Sequence, residues 1–178
     1  MSDLYEWIET GGGPHLLVPE ELLTKWRGIE GWSDHEDPSD ESDYARACRI
    51  TNWIGTVRCG DGAATVLAGD VGPIAWITAD GLDGGYLVQW LGIDDEADIL
   101  PALSSKALEE AFARETAEQG TLETGVSGKL RLIDSADIGT DLVQPNRSIS
   151  LKPGSYFIHA GYFDTETVMM IVRKLAKI

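Results

Sequence analysis

The sequence predicts a β-rich α+β fold, built from sequential antiparallel hairpins with one principal helix over about 104–118. Short runs of β-branched and aromatic residues alternate with glycine-rich turns along most of the chain. Between residues 94 and 118 the apolar residues instead take a helical spacing. Beyond Gly120 the strand pattern returns. These three observations together indicate the fold class.

The N-terminal segment is expected to hold two strands and one or two short helices. Residues 5–9 alternate in polarity and residues 15–18 are apolar, so the glycines at 11–13 predict a tight turn between paired strands. A proline then opens a predicted short helix near 20–26, since proline suits the first helical turn. Residues 43–49 fit either another short helix or the approach to a strand.

Two hairpins and the principal helix are predicted in the middle of the chain. The first hairpin joins residues 52–59 to 63–68 through Gly60-Asp61-Gly62, and the second joins 74–78 to 86–91. This pattern indicates an antiparallel meander. The helix follows, with Ser104 or Ser105 as its N-cap.

Strands are predicted again in the C-terminal segment. They are expected at residues 121–124, 129–134, 148–151, 156–162 and 166–175. The last of these segments also fits a helical period, but its position after a turn at Asp164 favours a strand.

Length and composition predict a single domain over residues 1–178, with two fused β-rich halves at 1–120 and 121–178 as the alternative. A chain of 178 residues with 43% hydrophobic content can bury a substantial core. It has no transmembrane pattern and no signal-peptide pattern, so a cytoplasmic location is expected. Cys48 and Cys59 match no zinc or redox spacing, and we expect both to be reduced core residues.

Charge is distributed very unevenly along the chain. The net charge is -16, and residues 1–128 hold 25 acids against 7 bases. Six acids fall between residues 34 and 43 without an intervening base: Asp34, Glu36, Asp37, Asp40, Glu41 and Asp43. Such a field repels nucleic acid and anionic membranes and attracts basic protein surfaces. We therefore predict a basic protein partner, no nucleic-acid partner and no membrane partner.

Trp32 directly precedes this acidic run. Most of the six tryptophans fall on predicted strands or on a helix face and should be buried. An exposed tryptophan beside fixed charge is typical of an interface anchor. We therefore predict that Trp32 and the six acids bind the partner. A solvated loop and a calcium site are the alternatives, although the run lacks the central glycine and final glutamate of an EF-hand.

No catalytic, cofactor or metal site is predicted from the motifs. The glycines at 11–13 are not followed by the lysine and hydroxyl residue of a phosphate-binding loop. His15, His35 and His159 lack a motif partner for nucleophilic catalysis. The alternatives are an enzyme of unrecognised type, with His159 or His15 as its base, and a ligand-binding β module.

A characteristic series of residues opens the chain. Trp7 precedes Thr10-Gly11-Gly12-Gly13-Pro14, an apolar run at residues 16–19, and Trp26 with Gly28. Further positions continue the series: Asp43-Tyr44, Ala47-Cys48, Gly55, Val66-Leu67 and Gly69-Asp70. Over about the first half of the chain, this series resembles the immunity protein 21 family of bacterial polymorphic toxin systems.

The resemblance implies a function as well as a family. It implies a cytoplasmic, non-enzymatic protein made beside a secreted toxin, whose toxin domain it binds and neutralises. The recurring family residues would be mostly scaffold, and specificity would lie in variable surface. A nuclease is one candidate toxin, since a nuclease presents a basic substrate groove that an acidic inhibitor can occupy.

Overall fold

The computed structural model describes residues 4–36, 39, 41–69, 72–78 and 81–178. The strands in these ranges are β1 (Trp7–Ile8), β2 (His15–Pro19), β3 (Gly55–Cys59), β4 (Gly62–Leu67), β5 (Ile74–Thr78), β6 (Gly84–Ile93), β7 (Glu118–Glu123), β8 (Lys129–Asp134), β9 (Arg147–Ser150), β10 (Ser155–Asp164) and β11 (Val168–Lys177). The helices are α1 (Asp43–Cys48), α2 (Ile99–Leu103) and α3 (Lys106–Phe112), with 3₁₀ turns at Leu23–Lys25, Gly28–Glu30 and Glu96–Asp98. The predicted β-rich α+β class is confirmed.

The strands form two antiparallel sheets. Sheet A has six strands in the order β1-β5-β6-β11-β10-β7, and sheet B has five in the order β3-β4-β2-β8-β9. Each sheet combines strands from before and after residue 120, so the strands of the two halves pair with one another.

The two sheets pack face to face around a central apolar core. Sheet A contributes Trp76 and Leu87 to this core, and sheet B contributes Leu17 and Leu132. All four are nearly inaccessible to solvent. Burying a side chain of this size stabilises the fold by about 1.5–3 kcal/mol. The central core therefore holds the sheets together as a sandwich.

Short helices cover the outer faces of both sheets. On sheet A, α2 and α3 bury Ile99 and Leu108 against the outer strand face. On sheet B, α1 and the 3₁₀ turn at Leu23–Lys25 lie over a cluster that includes Trp26 and Ala47. The molecule thus has four layers, with the sandwich in the middle.

The principal helix is shorter than the predicted 104–118. α3 spans only Lys106–Phe112, and α2 is a separate helix before it. Ser105 is the N-cap, since its hydroxyl accepts a hydrogen bond from the Leu108 amide at 3.3 Å. The chain has no large apolar side chain between Phe112 and Leu122, so nothing would hold a longer helix against sheet A.

The predicted helix near 20–26 is also wrong in extent, because only a 3₁₀ turn forms at Leu23–Lys25. The proline expected to open it, Pro19, is instead the last residue of β2 and pairs with Leu130 of β8. Of the two segments left open, the first forms the helix α1 at Asp43–Cys48, and the final segment forms the strand β11.

β1 and β2 do not pair with each other, contrary to the predicted hairpin. β1 pairs with β5 in sheet A, whereas β2 is the central strand of sheet B. The glycine link between them crosses from one sheet to the other, and the Asp134 carboxylate accepts a hydrogen bond from the Gly11 amide at 2.6 Å. A Cβ on Gly13 would lie 2.5 Å from the Tyr44 ring, so a larger residue there would displace that ring.

Both cysteines are free. Cys59 is buried in β3, and burial raises the pKa of its thiol to about 11. Cys48 is exposed, contrary to the prediction. The reason is its position on the outer side of α1, where the neighbouring Ala47 is the residue that faces the core.

His15 of β2 connects the two sheets. It is 2% exposed, and its Nε2 atom lies 2.8 Å from the carbonyl oxygen of Ile8 in β1. Burial, together with the nearby Arg173 cation, lowers the pKa of His15 to about 4, against the opposing effects of the Ile8 carbonyl and Asp134. The neutral ring therefore donates its Nε2 proton to the carbonyl.

We predict a stability loss on acidification that depends on His15. The unfolded chain takes up this proton below a pH of about 6.5, whereas the folded chain does so only near 4, so stability falls between these values. Protonation of His15 contributes about 3 kcal/mol to this loss of folding free energy. Urea unfolding from pH 7 to 4 should show a smaller loss for His15→Gln than for the natural protein. Equal losses in both proteins would contradict the assignment.

Arg173 of β11 is a fully buried cation between the sheets. It donates three hydrogen bonds: from Nε to the Trp53 carbonyl at 2.8 Å, from Nη1 to the Gln89 side chain at 3.0 Å, and from Nη2 to the Ala68 carbonyl at 2.7 Å. Complete burial lowers the pKa of the Arg173 guanidinium. Trp53 precedes β3 and Ala68 follows β4, so this side chain fixes both ends of the β3–β4 hairpin to sheet A.

Replacing Arg173 should destabilise the whole sandwich. Arg173→Met leaves buried carbonyl groups without their donors, and we expect the free energy of unfolding to fall by roughly 2–5 kcal/mol. Lys174→Met is the matched control, because Lys174 is the next residue of β11 and is only half-buried. Urea denaturation of both variants tests this expectation. A loss no larger in Arg173→Met than in Lys174→Met would contradict it.

Candidate partner-binding surface

Trp32 is held at the surface by the backbone on both sides of it. The Gly31 carbonyl accepts a hydrogen bond from the Asp43 amide at 2.8 Å, and the Ser33 amide donates to the Asp43 carboxylate at 2.8 Å. Trp32 is 40% exposed and is the one exposed tryptophan of the six, all of which lie in the described ranges. Its backbone is therefore ordered before any partner arrives.

Asp43 is the buried anchor of this loop. Its carboxylate also accepts a hydrogen bond from the Arg27 amide at 2.8 Å and forms an ion pair with Arg46. Asp43 is 0% exposed, so its charge is compensated within the fold by Arg46 and the backbone donors. The sequence placed Asp43 among the partner-binding acids, whereas the structure makes it a support for Trp32 and unavailable for surface contact.

Two further acids of the run lie beside Arg58. Asp34 is mostly buried, with its carboxylate 3.7 Å from Arg58 Nε and 3.8 Å from Arg46 Nη1. Glu36 is exposed and forms an ion pair with Arg58, which raises the pKa of that guanidinium. These two carboxylates therefore flank a fixed cation.

Three acids of the run remain, and the structure describes one of them, Glu41. Glu41 forms an ion pair with Arg49, the residue that follows α1. Asp37 and Asp40 lie outside the described residues. The described acids of the run are thus partly neutralised by arginines from α1, its C-terminal end and β3. The uninterrupted negative charge of the sequence becomes an alternating surface of carboxylates and guanidinium groups.

Trp32 lines a cleft of about 670 Å³, which we call the tryptophan cleft. Asp34, Glu36, Arg58 and Asp61 line it together with Trp32. Two further bases, Lys25 and Arg27, also line it. An apolar ring surrounded by mixed fixed charges suits a protein surface that presents complementary charges of both signs.

The three histidines lie in different parts of the molecule. His35 lines the tryptophan cleft, whereas His15 is buried in sheet B. His159 stacks on Phe112 of α3 with a centroid distance of 4.6 Å. These contacts favour structural roles for His15 and His159. Among the described residues, no group of three or more metal-ligating side chains is arranged to hold an ion.

The residues that carry the family resemblance are largely internal. Trp26 is fully buried and donates a hydrogen bond from Nε1 to the Ser135 carbonyl at 3.0 Å. Gly28 has φ 55°, and a Cβ there would lie 2.3 Å from the Ala136 carbonyl oxygen. These positions are therefore constrained by packing.

The fold and its surface define a β-sandwich protein with an exposed tryptophan among fixed charges. The family model described as Immunity protein 21 matches residues 6–168, which extend from just before β1 to the first residue of β11. The chain belongs to the immunity protein 21 family. No match was found among curated proteins or among solved structures. Within the described ranges, no helix has the length and apolar character needed to cross a bilayer.

Asp43 and Glu36 should differ sharply in their effect on stability. Asp43→Asn removes the counter-charge of a buried arginine and places an amide group against backbone donors, so the free energy of unfolding should fall by roughly 3 kcal/mol. Glu36→Gln should leave it nearly unchanged, since Glu36 is 75% exposed. Chemical denaturation of the two variants measures the difference. Comparable stability in both would show that Asp43 does not anchor the loop.

Proposed function

We propose that this protein is an immunity protein that binds a cognate toxin domain in the cytoplasm of the producing cell and blocks its activity. The observation that carries the proposal is the exposed Trp32, held in place by Asp43, in a chain of the immunity protein 21 family. Rigid aromatic anchors dominate the energetics of many protein interfaces. Because hydrogen bonds with Asp43 already hold the backbone on both sides of Trp32, little conformational entropy is lost there on binding.

We infer that neutralisation proceeds by occupation of the toxin surface and involves no chemistry on the part of this protein. Support comes from the positions of the candidate bases, since His15 is bonded to a backbone carbonyl and His159 is stacked on an aromatic ring. The immunity protein therefore acts stoichiometrically.

The partner surface that fits is basic overall, with acidic groups only where it meets the bases of the tryptophan cleft. A net charge of -16 attracts a cationic protein over long range and speeds association. Exposed ion pairs at the rim add little to affinity, whereas an aromatic side chain inserted into a pocket slows dissociation. We therefore assign association rate to the acids and complex lifetime to Trp32. A toxin that acts on nucleic acid has a suitable basic groove.

Trp32→Ala should reduce protection and affinity without unfolding the protein. The test is co-expression with the toxin domain encoded beside this gene, followed by binding kinetics with a catalytically inactive form of that domain. We expect dissociation to be at least about tenfold faster for Trp32→Ala. Trp90→Phe, a change at a half-buried tryptophan of β6, is the control. Full protection by Trp32→Ala would contradict the proposal.

Charge removal should slow association more when it is made in the acidic run of residues 34–43 than when it is made elsewhere. One variant replaces Glu36, Asp37, Asp40 and Glu41 by their amides. The control replaces Asp94, Asp98, Asp164 and Glu166, which lie near a different junction where the Asp94 amide bonds to the Thr167 carbonyl at 3.0 Å. Each variant removes four negative charges, so a local effect separates from the effect of net charge. At low salt, we expect the first variant to associate several-fold more slowly than the control. Equal rates would remove the acidic run from the interface.

A further inference from the structure

A second cleft lies where the two sheets end, and we call it the edge groove. It has a volume of about 670 Å³. Ala63 and Thr65 of β4 form part of its floor, and Leu122 of β7 forms part of its wall. Val126, which is 88% exposed, stands at the groove. The groove is thus a largely apolar opening into the edge of the sandwich.

The groove exists because sheet B extends further than sheet A at this edge. Thr65 and Leu67 point from β4 into the sandwich and are buried. Ala63 lies on the same face of β4, and Arg58 is its partner on β3, yet both are exposed. Within the described residues, β7 is the last strand of sheet A, so the inner face of the β3–β4 hairpin tip lacks a covering strand.

The backbone of β7 offers hydrogen-bonding groups on its open side. The Thr124 amide donates a hydrogen bond to the Gly154 carbonyl, so Thr124 and Gly154 form a hydrogen-bonded pair. The next pair along the ladder is Glu123 and Ser155. The Ser155 carbonyl accepts from the Ile178 amide, so it faces the β11 side and not β7. Because bonded and non-bonded pairs alternate along an antiparallel ladder, three residues of β7 direct their backbone groups away from β10. They are Gln119, Thr121 and Glu123, and in the described part of the chain their amides have no acceptor.

Charge selects the kind of strand that can lie there. Glu21, Asp61 and Glu123 surround the groove, and Arg58 is already paired with Glu36. A second copy of this chain, paired through its own β7, would bring further glutamates and a net charge of -16 to the same place. Like charges opposite each other destabilise strand pairing. A basic strand from another protein is therefore the complementary occupant.

The edge groove adjoins the tryptophan cleft. Arg58 and Asp61 line both, because they lie at the tip of the β3–β4 hairpin between the two openings. A partner that covers Trp32 therefore needs to extend only past the hairpin tip to reach β7.

We propose that the edge groove receives an extended segment of the toxin domain, which pairs with β7 as an additional strand of sheet A. About six residues suffice, since β7 spans Glu118–Glu123. The segment places small apolar side chains over Ala63 and Thr65 and directs Lys or Arg toward Glu21, Asp61 and Glu123. This inference rests on the proposed function and assigns the toxin a second point of contact beyond Trp32.

Thr121→Pro tests the strand pairing directly. Proline removes an amide that faces the groove and takes no part in the β10 ladder, so the fold should persist. Thr121→Val retains the amide and is the matched control. With the inactive toxin domain as probe, we expect Thr121→Pro to raise the dissociation constant at least about tenfold. Thr121→Val should raise it less than about twofold. Equal affinities for the two variants would overturn the proposal.

A second pair of variants keeps the test valid if proline disturbs the fold. Ala63→Arg fills the groove and reduces its local negative charge, whereas Ala63→Ser changes little. We expect loss of affinity for Ala63→Arg alone, and unchanged affinity would overturn the proposal. A concentration-dependent dimer of the free protein that Thr121→Pro abolishes would also overturn it, by making a second copy the occupant.

The outcomes separate this inference from the proposed function. If the toxin domain binds and Trp32→Ala weakens binding while both groove variants bind normally, the groove proposal fails alone. If the natural protein does not bind or neutralise the toxin domain, both proposals fail together.

Discussion

The buried guanidinium of Arg173 fixes the relation between the two sheets. From β11 it holds the backbone just before β3 and just after β4, and Ile54, which precedes β3, also donates its amide to the Glu118 carboxylate of β7 at 3.1 Å. The hairpin is therefore tethered to sheet A at its base, while its tip extends past β7. This arrangement leaves Ala63 uncovered and creates the edge groove. A polar group this deeply buried is stable only because carbonyl oxygens and an amide oxygen surround it.

Asp43 plays the equivalent part for the tryptophan cleft. Burial of a carboxylate is unfavourable unless donors compensate it, and here two backbone amides and Arg46 do so. The carboxylate fixes Ser33, and the Asp43 amide fixes the Gly31 carbonyl, so the backbone on both sides of Trp32 is held in place. The buried charge of Arg173 thus positions the edge groove, and the buried charge of Asp43 positions the tryptophan cleft. Both features meet at the hairpin tip, where Arg58 belongs to each.

Local chemistry made some of this structure predictable. The cap at Ser105, the hairpin around Gly60 and the exposure of Trp32 follow from residue types and their immediate neighbours. The pairing of β1 with β5 could not be predicted. Two strands that follow each other in the sequence either pair or join different sheets, depending on which sheet buries their apolar faces. The ion pair between Glu36 and Arg58 was missed for a similar reason, since it joins residues that only the folded β3 brings together. The edge groove depends on where each sheet ends, and no local signal encodes that.

Amide hydrogen exchange with and without the toxin domain tests most directly whether one continuous surface recognises it. We expect slower exchange in the complex at residues 32–36, at the β3–β4 tip, and at the outward amides of Gln119, Thr121 and Glu123. The Leu122 amide, which faces β10, serves as an internal reference and should change little. Protection confined to another region, such as residues 94–98 and 164–167, with unchanged exchange at Trp32 and Thr121, would contradict the account.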